Sequence, residues 1–414
     1  MMAFSSQTRV NGERLWDSLM RLAEIGATAK GGCNRQALTQ PDREARDLFV
    51  RWAREAGCEI NVDQIGNIFA IRRGEDPQAP SVLIGSHLDT QATGGRFDGV
   101  YGVMAGIEVV RTLNAMGART RRSIEVASWT NEEGCRFAPA MLGSGVVAGI
   151  YDLEFAQSRQ DRTGAKLGAE LERIGYAGTV PAGRRPLHAA LEAHIEQGPI
   201  LEESNTRIGV VTGIQGAYWL DVILEGTAAH AGSTPMEYRR DPWRAAVPII
   251  EAAYRIAAAH APWSRATMGD LKISPGSRNT VPERLVVSVD LRHPNESVLE
   301  SMIQEFKQEV ATRADAARIQ SRVEQIWHMP PTAFDERLVG LVDEAAQQLG
   351  LSRRRMVSGA GHDSLHTAQF APTAMIFVPC AGGLSHNEAE SAKAEDLAAG
   401  ADVLLRVALQ VANE

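Results

Sequence analysis

Three short apolar segments in the first half of the chain each end in a cluster of polar residues, and this repetition constrains the fold most. The segments are predicted strands, and they span residues 81–84, 123–129 and 188–195. A glycine-rich stretch and a predicted helix separate the first two. Strand, helix, strand is typical of parallel α/β sheets, in which ligands bind where the strands end. We therefore expect an α/β domain with a site at the carboxyl ends of these strands.

Beyond residue 213 the pattern changes to strand, helix, strand, strand, helix, strand. This β-α-β-β-α-β order matches a ferredoxin-like unit. From residue 332 the chain returns to a helix, a strand over 373–378 and a final helix. Because 414 residues exceed one ordinary hydrophobic core, two domains are expected. We predict a domain formed by residues 1–212 and 330–414, with an α+β domain inserted at 213–329.

Composition excludes several classes of protein. The net charge of -8 argues against a nucleic-acid partner, because binding phosphates needs a positive field. The sequence has no apolar run of about 18 residues, as a membrane span would need. Four widely spaced cysteines indicate no disulfide framework, and residues 1–5 become polar without the apolar core of a signal peptide. We expect a cytoplasmic protein.

The polar clusters contain residue types that bind metals and carry protons. Hydrolysis of an unactivated amide needs a nucleophile made from water, a Lewis acid and a proton shuttle, which a metal pair with one carboxylate supplies. Asp89 is expected to hold the second ring nitrogen of His87. Three imidazoles with carboxylates suit zinc, manganese or cobalt. The candidates are His87, Asp89, Asp98, Glu132, Glu133, His194 and His386.

Each candidate also has an ordinary structural explanation. A single histidine is usually a surface or satisfied core residue, paired glutamates are usually a solvated helix face, and glycine-rich loops are usually turns. The placement of most candidates at the ends of separate strands favours a metal site over these explanations. Spacing alone does not identify the substrate.

Six motifs spread over nearly the whole chain are more specific. They are Ser86-His87-Leu88-Asp89-Thr90, Gly95-Arg96-Phe97-Asp98-Gly99, Thr130-Asn131-Glu132-Glu133-Gly134, His194-Ile195-Glu196-Gln197-Gly198-Pro199, His230-Ala231-Gly232-Ser233-Thr234-Pro235-Met236 and Ser385-His386-Asn387-Glu388. In this order they resemble the hydantoinase/carbamoylase branch of the M20 amidohydrolases. That branch contains N-carbamoyl-L-amino-acid hydrolases, β-ureidopropionases and allantoate amidohydrolases.

The resemblance implies a mixed-sheet α/β catalytic domain with two divalent metal ions and an inserted ferredoxin-like domain that serves as lid and dimerisation surface. It implies that Asp98 bridges the two ions. His87 and His194 would complete one site, and Glu133 and His386 the other. Glu132 would be the general base. A homodimer is therefore expected.

The resemblance also implies four substrate contacts. Arg292 would clamp the substrate carboxylate, for which a guanidinium is well shaped. Asn279 and His230 would bind the substrate and the oxyanion, His230 from the same or the partner subunit, and Gln197 would contact the ureido group. The alternatives are a surface ion pair for Arg292 and a turn for Asn279. His362 and His366 are not included.

We expect the substrate to be a small ureido or amide compound, most specifically an N-carbamoyl-L-amino acid. A wall formed by Tyr218 and Trp219 would suit an apolar substituent better than the second ureido group of allantoate, unless both aromatics pack in the domain core. β-Ureidopropionate remains an alternative. An aminoacylase or dipeptidase is more remote, because the peptidase branches usually have a carboxylate at the position of His194. A non-catalytic binding dimer is a further alternative, which the complete set of metal-binding residues argues against.

Overall fold

A computed structural model describes residues 8–414 of the chain. The expectation about an export signal rests on residues 1–5 and lies outside the described residues. The α-helices are α1 (Gly12–Ala23), α2 (Gln40–Glu55), α3 (Val100–Ala115), α4 (Leu142–Val147), α5 (Leu153–Gln157), α6 (Leu167–Ile174), α7 (Ile200–Glu203), α8 (Trp243–Ala259), α9 (Glu296–Ala316), α10 (Glu336–Gln348), α11 (Ser364–Thr367) and α12 (Ala394–Ala412).

The strands follow the same chain order. They are β1 (Glu59–Val62), β2 (Ile68–Arg72), β3 (Ser81–His87), β4 (Ile124–Trp129), β5 (Leu187–Ile195), β6 (Ile208–Ile214), β7 (Gly216–Glu225), β8 (Ala229–His230), β9 (Arg265–Thr267), β10 (Leu271–Ser274), β11 (Thr280–Val281), β12 (Arg284–His293), β13 (Gln320–Met329), β14 (Thr332–Ala333), β15 (Arg353–Ser358) and β16 (Thr373–Val378). No helix among residues 8–414 is both long enough and apolar enough to cross a membrane.

The chain divides into two compact units. The larger unit runs to Gly213 and resumes at Ala333–Glu414, and the smaller unit is Ile214–Thr332. The boundaries expected from the sequence, 212/213 and 329/330, lie close to these. The small difference arises because β13 continues to Met329, and a short connection to Thr332 follows before the chain re-enters the larger unit.

The larger unit is built on a nine-stranded sheet of order β1-β2-β4-β3-β5-β16-β6-β14, with β15 paired to β6. The inner strands β4, β3, β5 and β16 are parallel, whereas β1–β2, β2–β4 and β16–β6 pair antiparallel. The sheet is therefore mixed, as predicted. All residues of β4 and β16 are buried, which explains why these strands are nearly continuous apolar runs.

Helix α3 connects the sheet to the glycine-rich loop. Its residues are buried on almost every side, because it packs between the sheet and the helices α1 and α12. A helix in that position needs apolar residues all round rather than in one stripe, and α3 has them. Its first turn directly follows Asp98 and Gly99, so the buried helix fixes the end of the loop that carries Asp98.

The smaller unit contains an antiparallel sheet of order β10-β12-β7-β13, with β9 paired to β12. Helices α8 and α9 share one hydrophobic core with alternate residues of β7 and β12 and therefore cover one face of the sheet. The helices and long strands follow the predicted β-α-β-β-α-β order, with the shorter strands β9 and β10 in place of a single strand between α8 and β12. Asp270 separates β9 from β10. Its backbone N–H donates to Ser288 Oγ at 2.7 Å, and the Asp270 carboxylate accepts from the Leu271 N–H at 2.8 Å.

A buried ion pair on α2 provides a test of what holds the larger unit together. Arg46 Nε donates to Asp42 Oδ2 at 2.8 Å, and its Nη1 donates to the Gly66 carbonyl at 2.7 Å. Replacing Arg46 with Met leaves the buried Asp42 carboxylate without its cation. We expect a loss of about 3–5 kcal/mol in the free energy of unfolding, measured by urea denaturation.

The matched control is Arg43→Met on the same helix. Arg43 forms an exposed ion pair with Asp47 at 3.7 Å, so its loss should cost about 1 kcal/mol or less. Equal destabilisation by the two substitutions would contradict the importance of the buried pair.

Candidate metal centre

The parallel strands bring the predicted residues to one edge of the large sheet. His87 is the last residue of β3, and Glu132 and Glu133 follow β4. His194 is the penultimate residue of β5, and His386 lies in the loop after β16. Because β3, β4, β5 and β16 run in the same direction, their carboxyl ends meet at the same edge. The structure thus brings together side chains separated by up to about 300 positions in the sequence.

His87, Asp98 and His194 form a buried cluster, which we call the first triad. Asp98 Oδ1 lies 3.2 Å from His194 Nε2 and 3.8 Å from His87 Nε2. One ligand atom from each residue lies within 4.8 Å of the other two, an arrangement that could hold a metal ion. The nitrogen and oxygen donors are those that zinc and similar divalent ions accept.

Asp98, Glu133 and His386 form a second cluster, the second triad. His386 Nε2 lies 3.2 Å from Glu133 Oε2 and 3.4 Å from Asp98 Oδ2. The His386 side chain is 52% exposed, so this triad faces solvent whereas the first is enclosed. Asp98 offers one carboxylate oxygen to each triad. A carboxylate shared in this way fits two neighbouring cations.

The histidines of the first triad are oriented by backbone carbonyl groups. His87 Nδ1 lies 2.9 Å from the Asp89 carbonyl oxygen, and His194 Nδ1 lies 2.9 Å from that of Ile195. Each carbonyl favours a ring proton on Nδ1, so that Nε2 faces Asp98, and His194 Nε2 also lies 3.1 Å from the Gly99 backbone nitrogen. The expectation that the Asp89 carboxylate holds His87 is wrong, because that carboxylate lies 3.9 Å from Nδ1.

The Asp89 carboxylate instead holds the backbone of the two glutamates. Its two oxygens accept from the N–H groups of Glu132 and Glu133, each at 3.2 Å. Burial raises the pKa of Asp89 to about 6. Asp89 therefore acts on the loop after β4 through its carboxylate and on the imidazole of His87 through its backbone carbonyl.

Glu132 and Glu133 have different surroundings although they are adjacent. Glu132 Oε2 lies 3.4 Å from His87 Nε2, beside the first triad. Burial raises the pKa of Glu132 well above its ordinary value, and the nearby carboxylate of Asp363 raises it further. Glu133 instead accepts from Gln91 N at 3.0 Å and from Gln91 Nε2 at 2.7 Å. Glu132 is thus suited to carrying a proton and Glu133 to binding a cation.

The ionisable groups of the two triads depend on one another. Burial opposes ionisation of Asp98, but its hydrogen bond with His194 and the charge of His87 keep its pKa below the usual value. Burial also opposes protonation of His194, yet the bond to Asp98 raises its pKa to about 9. The hydrogen bond with Glu133 raises the pKa of His386 to about 9. The carboxylates therefore favour positive charge at both triads.

Two further side chains contact the shared carboxylate. Gln197 Nε2 donates to Asp98 Oδ2 at 2.9 Å, and Ser385 Oγ donates to the same oxygen at 2.6 Å. Among the described residues, Gln197 Oε1 is buried and has no hydrogen-bond partner. Gln197 was predicted as a substrate contact, and the structure places it at the predicted site with Asp98 as its partner. Sequence reasoning did not include Ser385 as a site residue, although it directly precedes His386.

A third group of potential donors lies behind the first triad. Glu192, His194 and His362 also place ligand atoms within 4.8 Å of one another. The Glu192 oxygens already accept from Ser86 Oγ (2.9 Å) and Ser364 Oγ (2.6 Å). These bonds tie β5 to the residue before His87 and to α11, so Glu192 has a bracing role. Sequence reasoning missed Glu192. The alternation of side chains along β5, which places Glu192 on the same face as His194, could have indicated that it lies near the site.

The other predicted substrate contacts lie in the smaller unit. β8 pairs with β11, which brings His230 beside Thr280, and the Ala231 N–H donates to the Asn279 carbonyl at 2.9 Å. His230 Nδ1 accepts from the N–H groups of Gly232 and Ser233, each at 3.1 Å. Its exposed Nε2 must then carry the proton of the neutral ring. The short β8–β11 pairing therefore holds the backbones of His230 and Asn279 close together.

Arg292 lies on β12 in a bidentate pair with Asp290. Its Nη2 lies 2.7 Å from Asp290 Oδ2, and Nε lies 3.0 Å from Oδ1. Both side chains lie on one face of the strand because they are two residues apart. The pair orients the guanidinium on the sheet face opposite the helices.

The expected wall of Tyr218 and Trp219 is wrong, because neighbouring residues of a strand point to opposite faces. Tyr218 packs against the helix-covered core and stacks on His328 with ring centroids 4.0 Å apart. Trp219 is exposed, donates to Asp290 Oδ2 at 3.1 Å and packs on Trp327 with ring centroids 4.7 Å apart. Trp219 and Trp327 therefore form the aromatic surface on the face of Arg292, and Trp327 was missed.

Comparisons with known proteins agree over almost the full length. The sequence profile of peptidase family M20/M25/M40 matches residues 83–410. The N-carbamoyl-L-amino-acid amidohydrolase of Rhizobium meliloti is 48% identical, with 100% of this chain and 99% of that protein covered. The allantoate amidohydrolase of Bacillus subtilis is 33% identical over 94% of this chain and 95% of its own. A crystal structure of an amidase of the hydantoinase/carbamoylase family from Burkholderia multivorans is 52% identical, covers 98% of this chain and 99% of its own, and has a TM-score of 0.95.

Gly99 provides a test of the first triad. Its φ is +67°, and a Cβ at this position would lie 2.2 Å from His87 Nε2. Gly99→Ala should therefore displace the imidazole and weaken metal binding by about 10- to 100-fold, measured by metal titration of the stripped protein.

Gly117→Ala is the matched control at the other end of α3. Gly117 also has a positive φ, +61°, but a Cβ there would meet no atom within 4 Å. Both variants carry the backbone strain, and only Gly99→Ala should lose metal affinity. Wild-type affinity in Gly99→Ala would contradict the assignment of His87 as a ligand.

Proposed function

Because the chain belongs to peptidase family M20/M25/M40, and within it to the hydantoinase/carbamoylase amidases, we propose that it hydrolyses the carbamoyl C–N bond of N-carbamoyl-L-amino acids. The products are the amino acid, CO2 and ammonia. The observation that carries the proposal is the shared Asp98 carboxylate, with Glu132 beside the first triad. This arrangement supplies the parts that metal-assisted hydrolysis of an unactivated amide requires.

We infer that two divalent ions, zinc, manganese or cobalt, bind to the triads. The first triad would hold one ion and the second triad the other, with Asp98 common to both. When bound, such ions polarise the carbonyl oxygen and make water a nucleophile near neutral pH. The donor atoms of the five residues support this inference.

Glu132 would carry the proton in this reaction. Its carboxylate takes a proton from the attacking water and returns it to the leaving nitrogen, so that the C–N bond breaks and ammonia departs. The carbamate that remains on the amino acid then loses CO2. A carboxyl group whose pKa is raised by burial is suited to both transfers.

The smaller unit would bind the substrate. Arg292, already oriented by Asp290, would clamp the α-carboxylate with two parallel hydrogen bonds. Asn279 and the Nε2–H of His230 would donate to the substrate and to the developing oxyanion. Gln197 would contact the ureido group through the Oε1 atom that has no partner among the described residues. We also propose that the chain forms a homodimer through this unit.

One observation favours α-amino acid derivatives over allantoate. The exposed Trp219 and Trp327 rings lie on the same sheet face as Arg292, so an apolar surface adjoins the carboxylate clamp. Allantoate would place a second polar ureido group beside such a clamp. β-Ureidopropionate differs by one methylene between ureido group and carboxylate, which is worth only about 1–3 kcal/mol in a pocket.

The reaction and the roles of the two adjacent glutamates can be tested together. Metal-reconstituted protein should release ammonia from N-carbamoyl-L-methionine faster than from N-carbamoyl-β-alanine or allantoate. Glu132→Gln should lower kcat by about 10²- to 10⁴-fold with its metal content unchanged, because it removes the proton carrier. Glu133→Gln should instead lower the metal content. If no ureido compound releases ammonia while acyl amino acids or dipeptides are cleaved, the proposal is overturned.

The carboxylate clamp has its own test. Arg292→Met should lower kcat/KM for N-carbamoyl-L-methionine by about 10- to 100-fold, which corresponds to about 1.5–3 kcal/mol for hydrogen bonds to a charged group. The control substrate is the corresponding carboxamide, which lacks the anion. A similar loss with acid and carboxamide would refute recognition of the carboxylate by Arg292.

A further inference from the structure

A second buried carboxylate lies in the loop that carries His386, and the proposed reaction does not use it. Glu390 is only 1% exposed, although it lies four residues beyond the exposed His386 in a loop of polar and small residues. A buried carboxylate without a cation is unusual and requires hydrogen-bond donors. Two of its donors come from a distant part of the chain.

Glu390 contacts the backbone of Asp98 and of the residue that precedes it. Its Oε1 accepts from the Phe97 N–H at 2.8 Å and from the Asp98 N–H at 3.2 Å. Phe97 and Asp98 precede Glu390 by more than 290 positions. Without Glu390, two buried N–H groups would lose their acceptor.

The other oxygen of Glu390 is linked to the side chain of the same aspartate through Ser385. Oε2 lies 3.1 Å from Ser385 Oγ, and that hydroxyl donates to Asp98 Oδ2 at 2.6 Å. Glu390 therefore contacts Asp98 at its backbone directly and at its side chain through Ser385. Ser385 also directly precedes His386, so the same contacts hold the backbone that leads into His386.

The glycine-rich loop is shaped to receive this carboxylate. A Cβ on Gly95 would lie 2.0 Å from Glu390 Cδ and 2.1 Å from its Oε1. Any side chain at residue 95 would therefore displace the Glu390 carboxylate. The two loops fit each other only because residue 95 is glycine.

From these contacts we propose that Glu390 is a positioning residue that joins the Asp98 loop to the His386 loop, so that the second triad can hold its cation. The proposal rests on the metal centre inferred above. Among the described residues, the hydrogen bonds of the Glu390 carboxylate go to the backbone N–H groups of Phe97 and Asp98 and to Ser385 Oγ. Glu390 acts through Asp98 and Ser385.

The two triads should depend on Glu390 to different extents. In the first triad, His87 and His194 belong to buried strands of the central sheet and have carbonyl partners of their own. In the second triad, His386 lies in a loop, is half exposed and has a positive φ of +53°. Loss of the loop-to-loop contact should therefore weaken the second position more than the first.

The test is Mn²⁺ titration of the metal-stripped full chain, followed by the EPR signal of free Mn²⁺ and by spin coupling between bound ions. In Glu390→Ala, the dissociation constant of the weaker position should rise about 10- to 100-fold, as is typical for residues that orient ligands. The tighter position should keep its affinity. This readout does not depend on turnover.

Two variants separate positioning from charge and from general effects on the loop. In Glu390→Gln the amide oxygen can still accept from both N–H groups and the amide nitrogen can donate to Ser385, so the metal affinities should remain those of the wild type. Glu388 lies in the same loop, and its carboxylate pairs with Lys30 at 3.5 Å. Glu388→Gln should therefore leave the metal affinity of both positions unchanged. Gly95→Ala should reproduce the loss seen in Glu390→Ala, and it decides the matter if Glu390→Ala does not fold.

Three results would overturn the inference: wild-type binding in Glu390→Ala or Gly95→Ala, equal weakening of both positions, or equal losses in Glu390→Gln and Glu390→Ala. The wild-type titration distinguishes this failure from that of the metal centre. If wild type binds two ions and Glu390→Ala does as well, only the role of Glu390 fails. If wild type binds fewer than two ions, the two-ion centre and this inference fail together.

Discussion

The shared carboxylate of Asp98 is the constraint on which the rest of the larger unit depends. An ionised carboxylate removed from water is unfavourable unless donors and positive charge surround it. Asp98 obtains them from two imidazoles of the sheet, the half-exposed imidazole of His386, the amide of Gln197 and the hydroxyl of Ser385. These groups come from three separate parts of the sequence. The fold must bring all of them to one point, and displacement of Asp98 would disrupt both triads at once.

The central strands make that convergence possible because they are parallel and buried. Parallel strands bring their carboxyl ends to the same edge, and burial on both faces fixes their register. The residues at these ends are therefore held in place by the packing of the core. The loop after β16 lacks this support, so His386 depends on contacts that its own loop makes with the glycine-rich loop. The ligands at strand ends are therefore positioned by the sheet, whereas the ligand in the loop is positioned by contacts between loops.

This difference also determines what could be predicted from the sequence. The strands β3, β4, β5 and β16 followed from apolar runs, and most metal-binding candidates were grouped because they lie at strand ends. The assignment of His87, Asp98, Glu133, His194 and His386 to two ion positions came from the family motifs. The roles of Glu390 and Gln91 did not, because a hydrogen bond between distant loops leaves no periodic pattern. Asp89 was identified but given the wrong partner, since spacing does not distinguish a carboxylate from its own backbone carbonyl. Tyr218 and Trp219 were wrongly predicted to form one wall, although neighbouring residues of a strand point to opposite faces of the sheet.

Glu132 and Glu133 show how one short loop can supply two chemical functions. The loop directs Glu132 to the first triad and Glu133 to the second. Such divergence is useful only if the backbone between them is fixed. Asp89 holds both N–H groups, the Met141 N–H donates to the Glu132 carbonyl at 2.7 Å, and Asn131 adopts a positive φ of +57° at the turn. Asparagine is one of the few non-glycine residues that adopt this region readily, and the surrounding hydrogen bonds hold it there. The surrounding hydrogen bonds therefore impose the separation between proton carrier and metal ligand, which the two identical side chains cannot encode by themselves.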